Sequence, residues 1–130
     1  MNDCIFCKIV KGEIPSYKIW EDENHIAILD IFPASKGMTL IITKKHKPSY
    51  LVENDYVTIE SMTKAMKEVA QILDEKLPES MRTTFLLEGI DVNHLHAKLI
   101  PFYKEMLDEH VQRPKASDEE LQELANLLKS

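Results

Sequence analysis

Residues 92–101 read Val92-Asn93-His94-Leu95-His96-Ala97-Lys98-Leu99-Ile100-Pro101. Side chains alternate along an extended strand, so His94, His96 and Lys98 share one face while Leu95, Ala97 and Leu99 share the other. The apolar face needs a core to lie against. The basic face needs solvent, an anion or a metal, because three basic groups in a row repel one another. A solvated face is the ordinary outcome for an isolated histidine pair. Here Pro101 ends an otherwise buried-looking strand and a glycine turn at Gly89 precedes it, which favours a functional face. Two chemistries fit the same residues. A neutral imidazole whose one nitrogen donates to a carbonyl keeps the other nitrogen free as a nucleophile. Two histidines separated by a single residue also offer two nitrogens to zinc.

The neighbouring segments carry their own signals. Residues 4–12 read as a short helix ended by Gly12, with Pro15 beyond it. Tyr17–Glu21 and His25–Asp30 form two strands around the turn Asp22-Glu23-Asn24. Met38–Thr43 is an apolar, branched run suited to a central strand. From Asp55 to Leu77 the residues Ile59, Met62, Met66, Val69, Ile72 and Leu73 keep helical spacing, and Pro78 ends the run. Thr83–Leu87 and His94–Phe102 complete five strands. Residues 103–116 read as irregular, and Ser117-Asp118-Glu119-Glu120 opens a terminal amphipathic helix through Leu128. The expected class is α+β: a five-stranded antiparallel sheet, one main helix and a C-terminal helix. Residues 1–102 form the expected domain and 103–130 an extension.

The bulk properties narrow the function. The chain has 130 residues and a formal charge of −6, enough for one domain with a core. An acidic chain is a poor general nucleic-acid binder, so no nucleic-acid partner is expected. A locally positive pocket can still take a small phosphorylated ligand. No apolar run is long enough to span a membrane. Met1-Asn2-Asp3-Cys4 has neither the basic nor the apolar part of an export signal, so a cytoplasmic location is expected. The two cysteines both fall in Cys4-Ile5-Phe6-Cys7. They are too few for a disulfide scaffold, and a structural metal or redox pair stays open.

Four segments together carry a resemblance. Cys4-Ile5-Phe6-Cys7-Lys8-Ile9-Val10-Lys11-Gly12-Glu13-Ile14-Pro15, Ile28-Leu29-Asp30-Ile31-Phe32-Pro33, Lys36–His46 and the strand from Gly89 to Pro101 occur in the order found in the histidine triad (HIT) family of nucleotide hydrolases and transferases, which the chain resembles over about residues 4–102. The resemblance implies that His96, the middle position of the triad, attacks the α-phosphate of a purine nucleoside phosphoramidate, dinucleoside polyphosphate or related ester and forms a covalent nucleotidyl-histidine. It implies that Asp30 accepts from the ribose hydroxyls and that Ile5, Phe6, Ile28 and Ile31 wall the base, although each of the four also reads as ordinary core. It implies structural zinc on Cys4, Cys7, His46 and His94, which separates a structural His94 from a catalytic His96. For His46 the plain alternative is a solvated strand end beside Lys44 and Lys45. A homodimer follows from the same resemblance, with the sheets joined and the long helices near the interface.

The sequence departs from the family pattern at four places. Lys98 replaces the third triad histidine; a lysine can hold phosphate oxygens but is a poor proton donor near neutrality. Met38 stands where many members have a further active-site histidine. Leu87 replaces a polar residue beside the phosphate path, and Asp91 lies near a phosphate-contacting serine position, where a carboxylate repels phosphate. These departures support a second reading, a nucleotide-binding or interaction protein that kept the fold and lost efficient chemistry. A zinc hydrolase using His94 and His96 ranks last, since a closed Cys2His2 set leaves no open position for water. His25 and His110 have no evident partners and read as surface residues.

Overall fold

The apolar alternation and the helical spacing demand one sheet with a long helix laid on it, and the computed structural model has that form. It describes residues 3–110 and 113–129, the side chains of residues 109 and 110 excepted. The strands β1 (Lys18–Glu21), β2 (His25–Leu29), β3 (Thr39–Thr43), β4 (Arg82–Leu86) and β5 (His96–Phe102) form one five-stranded sheet in the order β1-β2-β3-β5-β4. Every neighbouring pair is antiparallel. The order places β3 and β5 side by side in the interior and leaves β1 and β4 as edges.

Helix α2 (Tyr56–Lys76) starts where the Asp55 carboxylate accepts from the Thr58 N–H, an N-cap that satisfies one of the open donors of the first turn. It buries Met62, Ala65, Val69, Ala70 and Leu73 on one stripe. That stripe packs against Ala27, Ile41, Ala97 and Leu99 from the sheet and Leu95 just before β5. Leu95, Ala97 and Leu99 therefore meet the core as the alternation requires. Ile26, Ile28, Leu40 and Ile42 point to the opposite face and pack with Phe6 of helix α1 (Ile5–Val10). Register sets two rows on this second face: Ile26, Ile42 and His96 in one, Ile28, Leu40 and Lys98 in the other.

Three local differences from the sequence reading have physical reasons. His94 precedes β5 instead of opening it, because its ring turns toward the N-terminal cysteines. Residues within 103–116 are partly helical: a single 3-10 turn at Lys104–Met106 leads into the short helix α3 (Leu107–His110). His25 is not a surface residue. It is 1% exposed, and its Nδ1 lies 3.0 Å from Asp22 Oδ1, so the turn carboxylate satisfies the buried ring. The corresponding expectation for His110 falls outside the described side chains. Helix α4 (Asp118–Lys129) has no buried residue, and Leu121, Leu124, Leu127 and Leu128 are all exposed. Among the described residues no helix is long and apolar enough to cross a membrane.

Candidate active site and metal centre

The lead-in to β5 and its first residues supply two adjacent clusters on the α1 side of the sheet. Cys4 is the N-cap of α1, and its sulfur accepts from the Cys7 N–H at 3.3 Å, so the helix start itself brings the two cysteines together. His46 follows β3 and His94 precedes β5, and these neighbouring strands deliver both rings to the same point. The sulfurs of Cys4 and Cys7 and one ring nitrogen each from His46 and His94 all lie within 4.8 Å of one another. Cys4 Sγ is 3.2 Å and Cys7 Sγ 3.4 Å from His94 Nδ1, and Cys7 Sγ is 3.3 Å from His46 Nδ1. A tetrahedral ion bound at ordinary sulfur and nitrogen distances has edges of about 3.3–3.8 Å, so the group could hold a metal ion.

The protonation of His94 suits that use. Its Nε2 lies 2.7 Å from the Thr43 carbonyl, which can only accept, so Nε2 carries the proton and Nδ1 keeps its lone pair toward the sulfurs. Burial, together with the neighbouring His46 and His96, lowers its basicity against the opposing pull of the Thr43 carbonyl. Burial and the adjacent Cys4 push the Cys7 thiol up.

His96 uses the opposite nitrogen. Its Nδ1 is 2.8 Å from the His94 carbonyl and therefore carries the proton, which leaves the Nε2 lone pair free. The ring is 1% exposed and stands edge-on to Phe6, with centroids 4.8 Å apart. Beyond it opens a cleft of about 270 Å³ lined by Ile5, Phe6, Ile28, Asp30, Ile31, His96 and Lys98. All seven are expected at the site from the sequence. Ile9, Ile14, Pro15, Ser16, Leu29, Phe32, Leu40, Asp91 and Val92 complete the walls. Phe6 and Ile28 are at once core and wall, while Ile31, 69% exposed, sits at the mouth. Asp30 Oδ1 accepts from the Phe32 N–H at 2.8 Å and so also closes the turn after β2.

Lys98 is not free. Its Nζ donates to Glu88 Oε1 at 2.8 Å and to Asp91 Oδ2 at 3.2 Å. The Glu88 hydrogen bond first, and Asp91 with it, outweigh the effect of burial and raise the lysine above its ordinary value of 10.5. The loop bearing both carboxylates is fastened at Ser49, whose Oγ donates to the Gly89 carbonyl at 2.7 Å and whose N–H donates to Asn93 Oδ1 at 3.0 Å. Gly89 has φ +60, and a side chain there would meet the Ser49 carbonyl at 2.6 Å, so the close approach needs glycine. Glu88, Ser49 and Asn93 carry no sequence signal of this role. Nothing in the spacing says that Lys98 meets a carboxylate ten residues earlier. Met38 and Leu87 do not line the cleft: Met38 is buried with its sulfur accepting from the Ala34 N–H, and Leu87 packs on the α2 side.

Comparison with known proteins agrees with this geometry. Residues 3–112 match the family model described as scavenger mRNA decapping enzyme C-terminal binding. The protein named Protein hit of Bacillus subtilis is 39% identical over 110 residues, covering 78% of this chain and 72% of its own. An adenosine 5'-monophosphoramidase of Candida albicans is 34% identical over 105 residues, covering 75% and 69%. A zinc-bound histidine triad family protein from Mycobacterium smegmatis superposes with a TM-score of 0.75 at 29% identity, covering 92% of this chain and 87% of that one. The match to the family model over most of the length, on a sheet whose interior strand β5 opens at His96 with His94 in its lead-in, makes this chain a member of the histidine triad family.

Proposed function

We propose that the protein is a nucleotide hydrolase or nucleotidyl transferase acting at the α-phosphate of a purine nucleoside phosphoramidate, dinucleoside polyphosphate or related ester. The observation that carries this reading is the His96 tautomer, locked by the His94 carbonyl with Nε2 left unprotonated beside a largely apolar cleft of nucleoside size. Ile5, Phe6, Ile28 and Ile31 sandwich the base, and the remaining oxygen of Asp30 takes the ribose hydroxyls. Nε2 of His96 attacks phosphorus, the bond to the leaving group breaks, and the leaving group departs with the electron pair. Water then attacks the phosphorus of the nucleotidyl-histidine, the bond from phosphorus to Nε2 breaks with its electron pair returning to His96, the water's proton goes to solvent, and the nucleoside 5'-monophosphate is released. The relative named as an adenosine 5'-monophosphoramidase supports this substrate class.

Zinc is our assignment for the Cys4, Cys7, His46 and His94 group, supported by the donor set and by the zinc-bound relative. It would staple α1 to the ends of β3 and β5 and has no open position for substrate. A reducing compartment such as the cytoplasm suits the two thiols. The chain is proposed to act as a homodimer.

A second reading, a binding protein with residual chemistry, is favoured by one feature: Lys98 is tied to two carboxylates and strongly basic, so it is no proton donor at neutral pH. Incubation with adenosine phosphoramidate and with an adenosine aryl phosphate ester, followed by intact-protein mass measurement, separates the two readings. An adenylyl adduct on wild type that disappears with turnover in His96→Ala supports the enzyme. Turnover by His96→Ala at the wild-type rate removes His96 as nucleophile, and binding of both compounds without any adduct or turnover leaves the binding protein.

A further inference from the structure

The proposed reaction begins and ends on phosphates of different charge. A phosphoramidate, phosphodiester or anhydride has one negative charge at its α-phosphate. The 5'-monophosphate product carries close to two above its second pKa of about 6. Asp91 stands where that difference is felt. Its Oδ1 lies 3.6 Å from Nε2 of His96, and its Oδ2 lies 3.2 Å from Nζ of Lys98. An oxygen of a phosphate attacked by His96 and held by Lys98 has to occupy the same few ångströms.

The carboxylate is built in. Its Oδ1 accepts from the Val92 N–H at 3.1 Å, and its loop is pinned to Ser49 on both sides. Burial alone would raise its pKa, but the Lys98 hydrogen bond and Asp91's own backbone N–H prevail and hold it below the ordinary value of 3.8. Glu88 takes a further share of Lys98, so one ammonium already faces two carboxylates before any ligand arrives.

We propose that Asp91 is a specificity-determining residue that makes this site discriminate α-phosphates by charge, admitting the singly charged substrate and expelling the doubly charged monophosphate product. The inference rests on the nucleotide reading of the cleft. Coulomb repulsion from Asp91 grows with each phosphate charge and the shared Lys98 offsets only part of it, so a doubly charged phosphate is penalised more than a singly charged one. The side chain of Asp91 is 58% exposed, which softens the effect without abolishing it.

Calorimetry on the full chain at low salt and pH near 8, with three probes, tests this. The probes are adenosine, adenosine 5'-methylphosphate with one charge, and adenosine 5'-monophosphate with two. Wild type is expected to bind the methylphosphate at least about tenfold more tightly than the monophosphate, and Asp91→Asn to bring the two within about threefold, each affinity read relative to the same protein's affinity for adenosine. Asparagine keeps the shape and the acceptor for the Val92 N–H, so folding is not at stake. Equal binding of the two phosphates by wild type, or the same ratio in Asp91→Asn, overturns the proposal while adenosine binding keeps the cleft reading. Failure of adenosine to bind either protein withdraws both.

Discussion

His94 and His96 are two residues apart and carry their protons on opposite ring nitrogens, each told which by a backbone carbonyl. The carbonyl that orients His96 belongs to His94, so a residue of the metal group also positions the candidate nucleophile. Lys98 breaks the pattern. Its ammonium neutralises charge but gives no proton near pH 7, so the reaction rate should follow the leaving group. Aryl and pyrophosphate-like groups leave unaided and should react, while simple amines should leave slowly. Lys98→His is expected to accelerate amine substrates selectively by tenfold or more, since a positioned acid supplies about 10²–10⁴-fold. A uniform change across leaving groups would mean that Lys98 serves binding alone. The pH profile adds a check. Glu88 and Asp91 raise the lysine pKa, so the fold favours the charged form. Their stabilisation is whole below pH 10.5 and is lost as pH rises through the raised value. Wild-type turnover of an aryl ester should therefore have no alkaline limb from Lys98 up to about pH 10, whereas Lys98→His with an amine substrate should lose rate above about pH 6.5. Stopped-flow profiles of both proteins measure this.

Among the elements, β4 and α4 leave large apolar side chains uncovered. Edge strand β4 leaves one side unpaired, and Met81, Phe85 and Leu86 at or in it are exposed. Phe85 pairs with Leu99 and so lies on the α2 face of the sheet. An exposed apolar edge of this kind invites pairing with another chain. The proposed homodimer would use it, with the two sheets continuing across β4. Phe85→Glu, which puts a charge on that seam, is expected to shift the sedimenting species from twice the 15.0 kDa chain mass to 15.0 kDa without loss of helix or sheet content. A dimer that survives Phe85→Glu unchanged would place the contact elsewhere, and a monomeric wild type would remove the homodimer altogether.

At the level of the whole molecule, the metal group links the N-terminal helix to the end of β3 and the lead-in to β5, three segments far apart in sequence. Closing such separations costs chain entropy that a bound ion offsets. Purified protein is expected to hold one zinc per chain by elemental analysis, and Cys4→Ser to lose it and melt at a clearly lower temperature. Structural zinc contributes on the order of 10 kcal/mol in modules that lack a core of their own; here the packing of α2 on the sheet carries part of the load. Metal-free protein with an unchanged melting temperature would end the zinc assignment.

Much of this was readable from residues alone, for a definite reason. Periodicity of two in β5, branched apolar runs in β2 and β3, and helical spacing ended by Pro78 are local signals, and local signals determine elements. Once β3 and β5 are neighbours, His46 and His94 must approach, and Leu95, Ala97 and Leu99 must meet α2. The five residues expected to hold a nucleoside also line one cleft, because α1, which carries Ile5 and Phe6, packs on the sheet face that bears Ile28, beside the turn of Asp30 and Ile31. What only the tertiary structure decided are the meetings made by loops. Lys98 meets Glu88 and Asp91 because Gly89 at positive φ packs against Ser49, forty residues away in the chain. His25 is buried because the Asp22 turn curls its carboxylate onto the ring. Met38, expected at the place of a further active-site histidine, and Leu87, expected beside the phosphate path, are taken up in packing and do not line the cleft. Loop conformation depends on contacts with whatever the rest of the fold brings near, and no periodicity along the chain encodes that.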